Sequence, residues 1–317
     1  MRALVWDGAA LRYTQDHPRP ELPAGWARLR VRCAGICSTD EQILQGYMGF
    51  EGVPGHEVVG EVCEGPPEWL GKRAVVEINF ACGSCPACAR GLGRHCPARS
   101  VLGILDQDGA FAEELVAPLA NLHEVPAGVD DEQAVFSEPL AAAFEILEQV
   151  HVPPGSRALV LGDGKLGQLC ARVLHHAGAE TLLVGKHRAK LDRAATAGVG
   201  TCLLGALSPE QSWDLVVEAT GSRDGLELAM ARVRPRGTLV LKSTVAAAHE
   251  LSLAPLVIHE VTVVGSRCGP FPAALAALAA DRISVRELID DRFPLSEGEA
   301  AFARARERGV LKVLLTP

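Results

Sequence analysis

The chain has 317 residues, 48% hydrophobic and 22% charged, with a formal net charge of −8, a composition that fits a globular protein long enough for two domains. Its Lys and Arg are scattered, which excludes nucleic acid as a main partner, and no apolar run approaches the ~18 residues of a membrane span. The opening Met1 to Asp7 lacks the apolar core of a signal peptide, so a cytoplasmic location is expected, where the ten cysteines serve as metal ligands or small buried side chains.

In chain order, the first third reads as short strands. From Trp26 to Cys33 the pattern alternates: Ala27, Leu29, Val31 and Cys33 face one way, Arg28, Arg30 and Arg32 the other. That is the period-two signature of a strand with one solvated face. Residues 58–62 and 73–78 are further strands bounded by Gly and Pro. Pro153, Pro154 and Gly155 punctuate the chain, and strands then alternate with helices. Residues 158–161 predict a fully buried strand. The helix after it places Leu166, Leu169, Cys170, Val173, Leu174 and Ala177 on one face. Residues 181–184, 201–204, 215–218, 238–241 and 261–264 complete six mostly apolar strands, which suggests a parallel sheet covered on both faces. A last strand at 311–315 is expected to return to the first domain. Cys33, Cys63, Cys170 and Cys202 sit in apolar runs and read as buried packing.

Three motifs carry chemistry. Cys82, Cys85, Cys88 and Cys96 have the short spacings that let four thiolates converge on one tetrahedral Zn²⁺, a closed and therefore structural site. Upstream stand Gly35-Ile-Cys37-Ser-Thr39-Asp40 and Gly55-His56-Glu57, with Glu138-Pro139-Leu140 further on; each is weak alone. Gly162-Asp-Gly164-Lys165-Leu166-Gly167 follows a buried strand and opens a helix, the context in which glycines bring backbone and helix N-terminus to a pyrophosphate.

The choice of dinucleotide is read at the end of the second strand. An acid there would grip a ribose 2′-hydroxyl, but the position is Gly185, followed by Lys186, His187 and Arg188. Positive charge at a helix N-terminus opposes the macrodipole and implies an anion to be bound. NADP is therefore favoured, with NAD as the alternative.

Taken together and in this order, these motifs resemble those of the zinc-dependent medium-chain alcohol/polyol dehydrogenases, and the resemblance spans nearly the whole chain. It implies an α/β protein with a GroES-like β-rich catalytic domain (1–140 with 267–317) and a doubly wound Rossmann cofactor domain (141–266), the active site lying in the cleft. It maps Cys37, His56 and Glu138 onto the catalytic zinc, with Glu57 able to exchange with Glu138. Two zinc ions per chain are implied, and hydride transfer between an alcohol or polyol carbinol and NAD(P). Thr39 matches the hydroxyl that carries the substrate proton, and Asp40 a hydrogen-bonding support. Many relatives place a His three residues after that hydroxyl; Gln42 stands here and cannot take up a proton at neutral pH. Glu-Pro-Leu resembles polyol, sugar and threonine dehydrogenases more than simple-alcohol enzymes. Relatives form homodimers or homotetramers, usually through the cofactor domain, with 238–264 as the candidate pairing stretch. The competing reading is a non-catalytic zinc and NADP(H)-binding sensor.

Overall fold

The alternating segment forms a ten-residue strand, β1 (Trp26–Gly35), in the computed structural model, which describes residues 1–244 and 250–317. Ala27, Leu29, Val31 and Cys33 are buried on its inner face, and Arg30 and Arg32 are exposed. Arg28 departs from the expected alternation and is 5% exposed. Its guanidinium donates to the Pro20 carbonyl at 2.8 Å and to Glu64 at 2.9 Å. Residues outside the strand cover that end of its polar face, which a period-two pattern cannot register.

β1 leads into a short helix, α1 (Ser38–Ile43), and pairs antiparallel with β2 (Glu57–Glu64). β2 carries β3 (Arg73–Val76), the edge is completed by β5 (Leu122–Glu124), and β4 (Glu114–Pro118) pairs with β1. Cys63 and Cys202, both expected to be buried, are only half-buried. Together with residues from the C-terminal part of the chain, these strands form the first of two compact units: Met1–Glu138, Ala274–Ala280 and Ile289–Pro317.

The second unit comprises Pro139–Ala273 and Asp281–Leu288. It takes in most of α2 (Ser137–Gln149) and then alternates β6 (Arg157–Leu161), α3 (Lys165–His176), β7 (Glu180–Gly185), α4 (Arg188–Ala195), β8 (Gly200–Leu203), β9 (Trp213–Glu218), α5 (Arg223–Arg232), β10 (Val233–Leu241) and β11 (Thr262–Gly265). All six strands are parallel, in the order β8-β7-β6-β9-β10-β11. That is the doubly wound order, which reverses direction between β6 and β9 and opens a crevice at the carboxyl ends of those strands. Leu159, Leu161, Val184, Trp213, Val216, Met230 and Leu239 pack into one core. β11 departs from a sheet covered on both faces, since Thr262 and Val263 are exposed.

The chain then re-enters the first sheet through β12 (Ile289–Pro294) and β13 (Lys312–Thr316). β13 pairs antiparallel with the end of β1, setting Leu314 opposite Gly35. No helix among the described residues is long and apolar enough to cross a membrane.

Candidate active site

At the end of β1 the chain turns into α1 with Cys37 as its N-cap residue. Asp40, three positions on, is fully buried and reaches back to accept from the Cys37 amide at 2.7 Å. Its other oxygen lies 3.1 Å from His56 Nδ1. One carboxylate therefore fixes both the loop that presents Cys37 and the imidazole at the start of β2. With Nδ1 committed to Asp40, Nε2 is the nitrogen left for a metal, the usual carboxylate–histidine–metal arrangement.

The donor atoms of Cys37, His56 and Glu57 all lie within 4.8 Å of one another. A thiolate, an imidazole and a carboxylate suit Zn²⁺, and three protein ligands leave a coordination position open. Glu138, at the start of α2, stands outside that set but is coupled to it. Burial pushes its carboxyl up to about 7, while His56 opposes the shift and Glu57 adds to it. At His56 burial disfavours the charged ring, yet the Asp40 carboxylate outweighs it and holds the imidazole pKa well above its ordinary value.

Glu57 has a partner that sequence reasoning missed. The Lys312 ammonium, on β13, donates to its carboxylate, and each side chain is 1% exposed. The ammonium also lies 5.4 Å from the centre of the Phe136 ring. Thr39 is half-buried, its hydroxyl 3.9 Å from the Cys37 sulfur, and Gln42 is half-buried one turn along α1.

The four-cysteine run folds as a knuckle around a short helix, Pro86–Ala89. The sulfurs of Cys85 and Cys88 are 3.5 Å apart, those of Cys85 and Cys96 3.7 Å, and those of Cys96 and Cys82 3.5 Å. Four thiolates on one Zn²⁺ at ~2.3 Å each would stand about 3.8 Å apart along a tetrahedral edge, so these residues fit that ion. Backbone and hydroxyl donors of Ser84 lower the Cys82 thiol to about 6, toward the thiolate a metal requires.

In the second unit, Gly162 sits at φ +114°, and a Cβ there would lie 2.5 Å from the Ala219 carbonyl. A Cβ on Gly167 would lie 1.8 Å from the Gly162 carbonyl oxygen, so helix and turn pack through a missing side chain. Gly164 is the N-cap of α3 with open space before it, a cradle that suits a pyrophosphate at a helix N-terminus flanked by Lys165 and Leu166. Parallel pairing sets Leu161 beside Val184, which brings this turn against Gly185 at the end of β7. Lys186 and Arg188 are exposed there, and His187 is half-buried.

Sequence reasoning also passed over Asp163, which stands between two glycines of the turn. It is 8% exposed and accepts from the amides of Lys186 and His187 at 2.8 and 2.7 Å. Its carboxylate also faces His187 Nδ1 at 3.1 Å. Glu218, further along the sheet, accepts from the Thr220 amide and hydroxyl at 2.7 and 2.6 Å and so braces its own turn.

Residues 23–127 match the model of the alcohol dehydrogenase GroES-like domain, and residues 166–283 that of the zinc-binding dehydrogenases. A D-altritol 5-dehydrogenase of Agrobacterium fabrum is 31% identical, the match covering 88% of each chain. A sorbitol dehydrogenase of Halalkalibacterium halodurans is 27% identical over 100% of this chain and 99% of its own. A crystal structure of a zinc-binding dehydrogenase of Sinorhizobium meliloti, bound to NADP, superposes with a TM-score of 0.92 at 25% identity, covering 100% of this chain and 99% of the other. The sensor alternative is set aside, because the named relatives are dehydrogenases and the matched models are those of an enzyme family. With two zinc-compatible donor sets and a dinucleotide turn on a matching fold, the chain belongs to the zinc-dependent medium-chain dehydrogenases and is an alcohol oxidoreductase.

Proposed function

We propose that the enzyme interconverts a polyol or sugar-derived alcohol and its carbonyl, with a nicotinamide dinucleotide as hydride partner and two zinc ions per chain. The observation that carries this reading is the convergence of Cys37, His56 and Glu57, backed by Asp40. The polyol class is supported by the sorbitol and altritol dehydrogenases among the relatives and by the Glu138-Pro139-Leu140 motif.

Cys37 and His56 hold the catalytic ion, with Glu57 or Glu138 as the carboxylate ligand. When bound, that ion supplies Lewis-acid polarisation of a carbinol or carbonyl oxygen. Asp40 keeps the imidazole oriented, and Lys312 balances the charge of Glu57. The Thr39 hydroxyl would relay the substrate proton, and Gln42, which cannot take up a proton at neutral pH, would not carry it further. Cys82, Cys85, Cys88 and Cys96 hold the second ion and do no chemistry.

Residues 162–167 bind the pyrophosphate, and residues 185–188 face the adenosine ribose. NADP(H), suggested by the basic group, meets two carboxylates there: Asp163 against His187, and Asp192 at 3.3 Å from Arg188. Subunits associate through the second unit, where Leu253, Val257, Ile258 and Val263 are 61%, 77%, 73% and 43% exposed next to β11, the last strand of the sheet among the described residues. The suggested pairing stretch 238–264 includes residues 245–249, which lie outside the described residues. Ten cysteines without a disulfide suit a reducing, cytoplasmic setting.

The deciding experiment is a spectrophotometric screen of polyols, sugar alcohols and simple alcohols with NAD and NADP, using Cys37→Ser as the blank, beside metal analysis of the purified protein. Turnover of at least one polyol and about two zinc ions per chain are expected. One tightly held zinc and no turnover on any alcohol would overturn the reading.

A further inference from the structure

We propose that Asp163 is the residue that sets dinucleotide choice, presenting to the adenosine ribose the carboxylate that β7 lacks at Gly185, and that it directs the enzyme toward NAD(H). This rests on the reading that residues 162–167 and 185–188 form the dinucleotide site. A Cβ on Gly185 would lie 2.3 Å from both Cβ and Oδ2 of Asp163. The Asp163 side chain thus fills the space an acid at 185 would need, and glycine at 185 is what lets it in. The acid arrives from the neighbouring turn because Gly162 and Gly185 lie side by side, the Gly162 amide donating to Val184 at 2.9 Å.

The carboxylate also consumes what a 2′-phosphate would use. The amides of Lys186 and His187, at the entrance to α4, are the backbone donors an anion would seek, and Asp163 Oδ2 already accepts from both. His187, one of the three groups that suggested a phosphate site, is turned onto the same carboxylate. A 2′-phosphate would have to displace Asp163 or lie against its charge. A ribose 2′-hydroxyl would meet no such conflict. Oδ1 lies 3.2 Å from the His187 nitrogen and, with two lone pairs, keeps acceptor capacity for a hydroxyl donor. The basic corner and the buried acid thus oppose each other, and the acid is the group held in place.

The test is direct titration of the zinc-loaded enzyme with NADH and with NADPH, followed by nicotinamide fluorescence, for wild type, Asp163→Asn and Asp163→Ser. Asparagine removes the charge at constant shape, and serine opens the two amides. Wild type is expected to bind NADH more tightly, and both variants to move the ratio of dissociation constants toward NADPH by about tenfold or more. Adding Arg188→Ala to Asp163→Asn should then cost NADPH more than NADH. A wild type that binds NADPH more tightly overturns the proposal without reference to any variant. Ratios within about twofold of wild type in folded Asp163→Asn and Asp163→Ser overturn it too. If neither nucleotide binds wild type, the dinucleotide reading itself fails, a result distinct from binding with an unmoved ratio.

Discussion

Glu57 and Lys312 form a salt bridge almost closed to water, and the pair tests how much the metal site depends on charge balance. Removing one partner of such a pair leaves the other buried and uncompensated, a loss of about 3–5 kcal/mol. Lys312→Met should therefore lower the denaturation midpoint strongly and reduce zinc content, with Lys312→Arg restoring much of both; differential scanning calorimetry and metal analysis read the two effects. Thr39→Ala should lower kcat at least tenfold more than Gln42→Ala, because only the hydroxyl can pass a proton; equal losses in steady-state rates would contradict that division. Much of this site was legible. Cys37 and His56 were read through the resemblance of the combined motifs to a known family, whereas the four-cysteine run announces itself by residue type and spacing. Lys312 does not, because its partner is 255 residues away and a lysine in an apolar strand carries no local signal. Asp163 was hidden for another reason: a glycine motif directs attention to what its glycines permit and away from the side chain between them.

Among the elements, the parallel strands were read well because they are apolar along their whole length, and their covering helices show a clear 3.6 period. The failures lie where tertiary cover changes a face, as at Arg28 in β1. A second case is Arg172 in α3, only 3% exposed though on a helix read for its apolar face. Its guanidinium donates to the Ser284 and Arg193 carbonyls at 2.7 and 2.8 Å and to the Glu287 carboxylate, pinning the turn at Arg286–Leu288 to the helix. Burial works against ionisation of Glu287, but hydrogen bonds from Arg172 and Ser284 outweigh it and hold its carboxyl below the ordinary range. A depressed folded-state pKa contributes stability above the unfolded value that disappears as pH falls through the folded one. Glu287→Gln should thus lower Tm by several degrees at pH 7, and its Tm should fall less steeply than that of wild type as the solution is acidified below about pH 4.5. Parallel acid profiles would show the pair to be inert.

For the whole molecule, two features should report on assembly before chemistry. Chelation of the four-cysteine site, or Cys88→Ser, is expected to lower thermal stability or oligomer content while kcat of the remaining folded enzyme stays within about twofold; static light scattering and rate assays separate the two. The apolar edge beside β11 should be the contact surface, so Ile258→Glu should shift the protein toward monomer in analytical ultracentrifugation, with secondary structure unchanged. The fold class was legible because the texture of the chain changes at Pro153. The exposure of Leu253, Val257, Ile258 and Val263 was not, since an exposed apolar edge and a covered one have the same composition.

The closing strand β13 has a consequence for the order in which the protein is built. It enters the first sheet only after the chain has traversed the parallel sheet, and it brings the cation that neutralises Glu57. Contacts between segments so distant in sequence form late, after the loop between them has been closed. Without β13 the three-donor cluster would lack the cation that offsets the charge of Glu57. The charge balance of the metal site is thus completed from the far end of the chain.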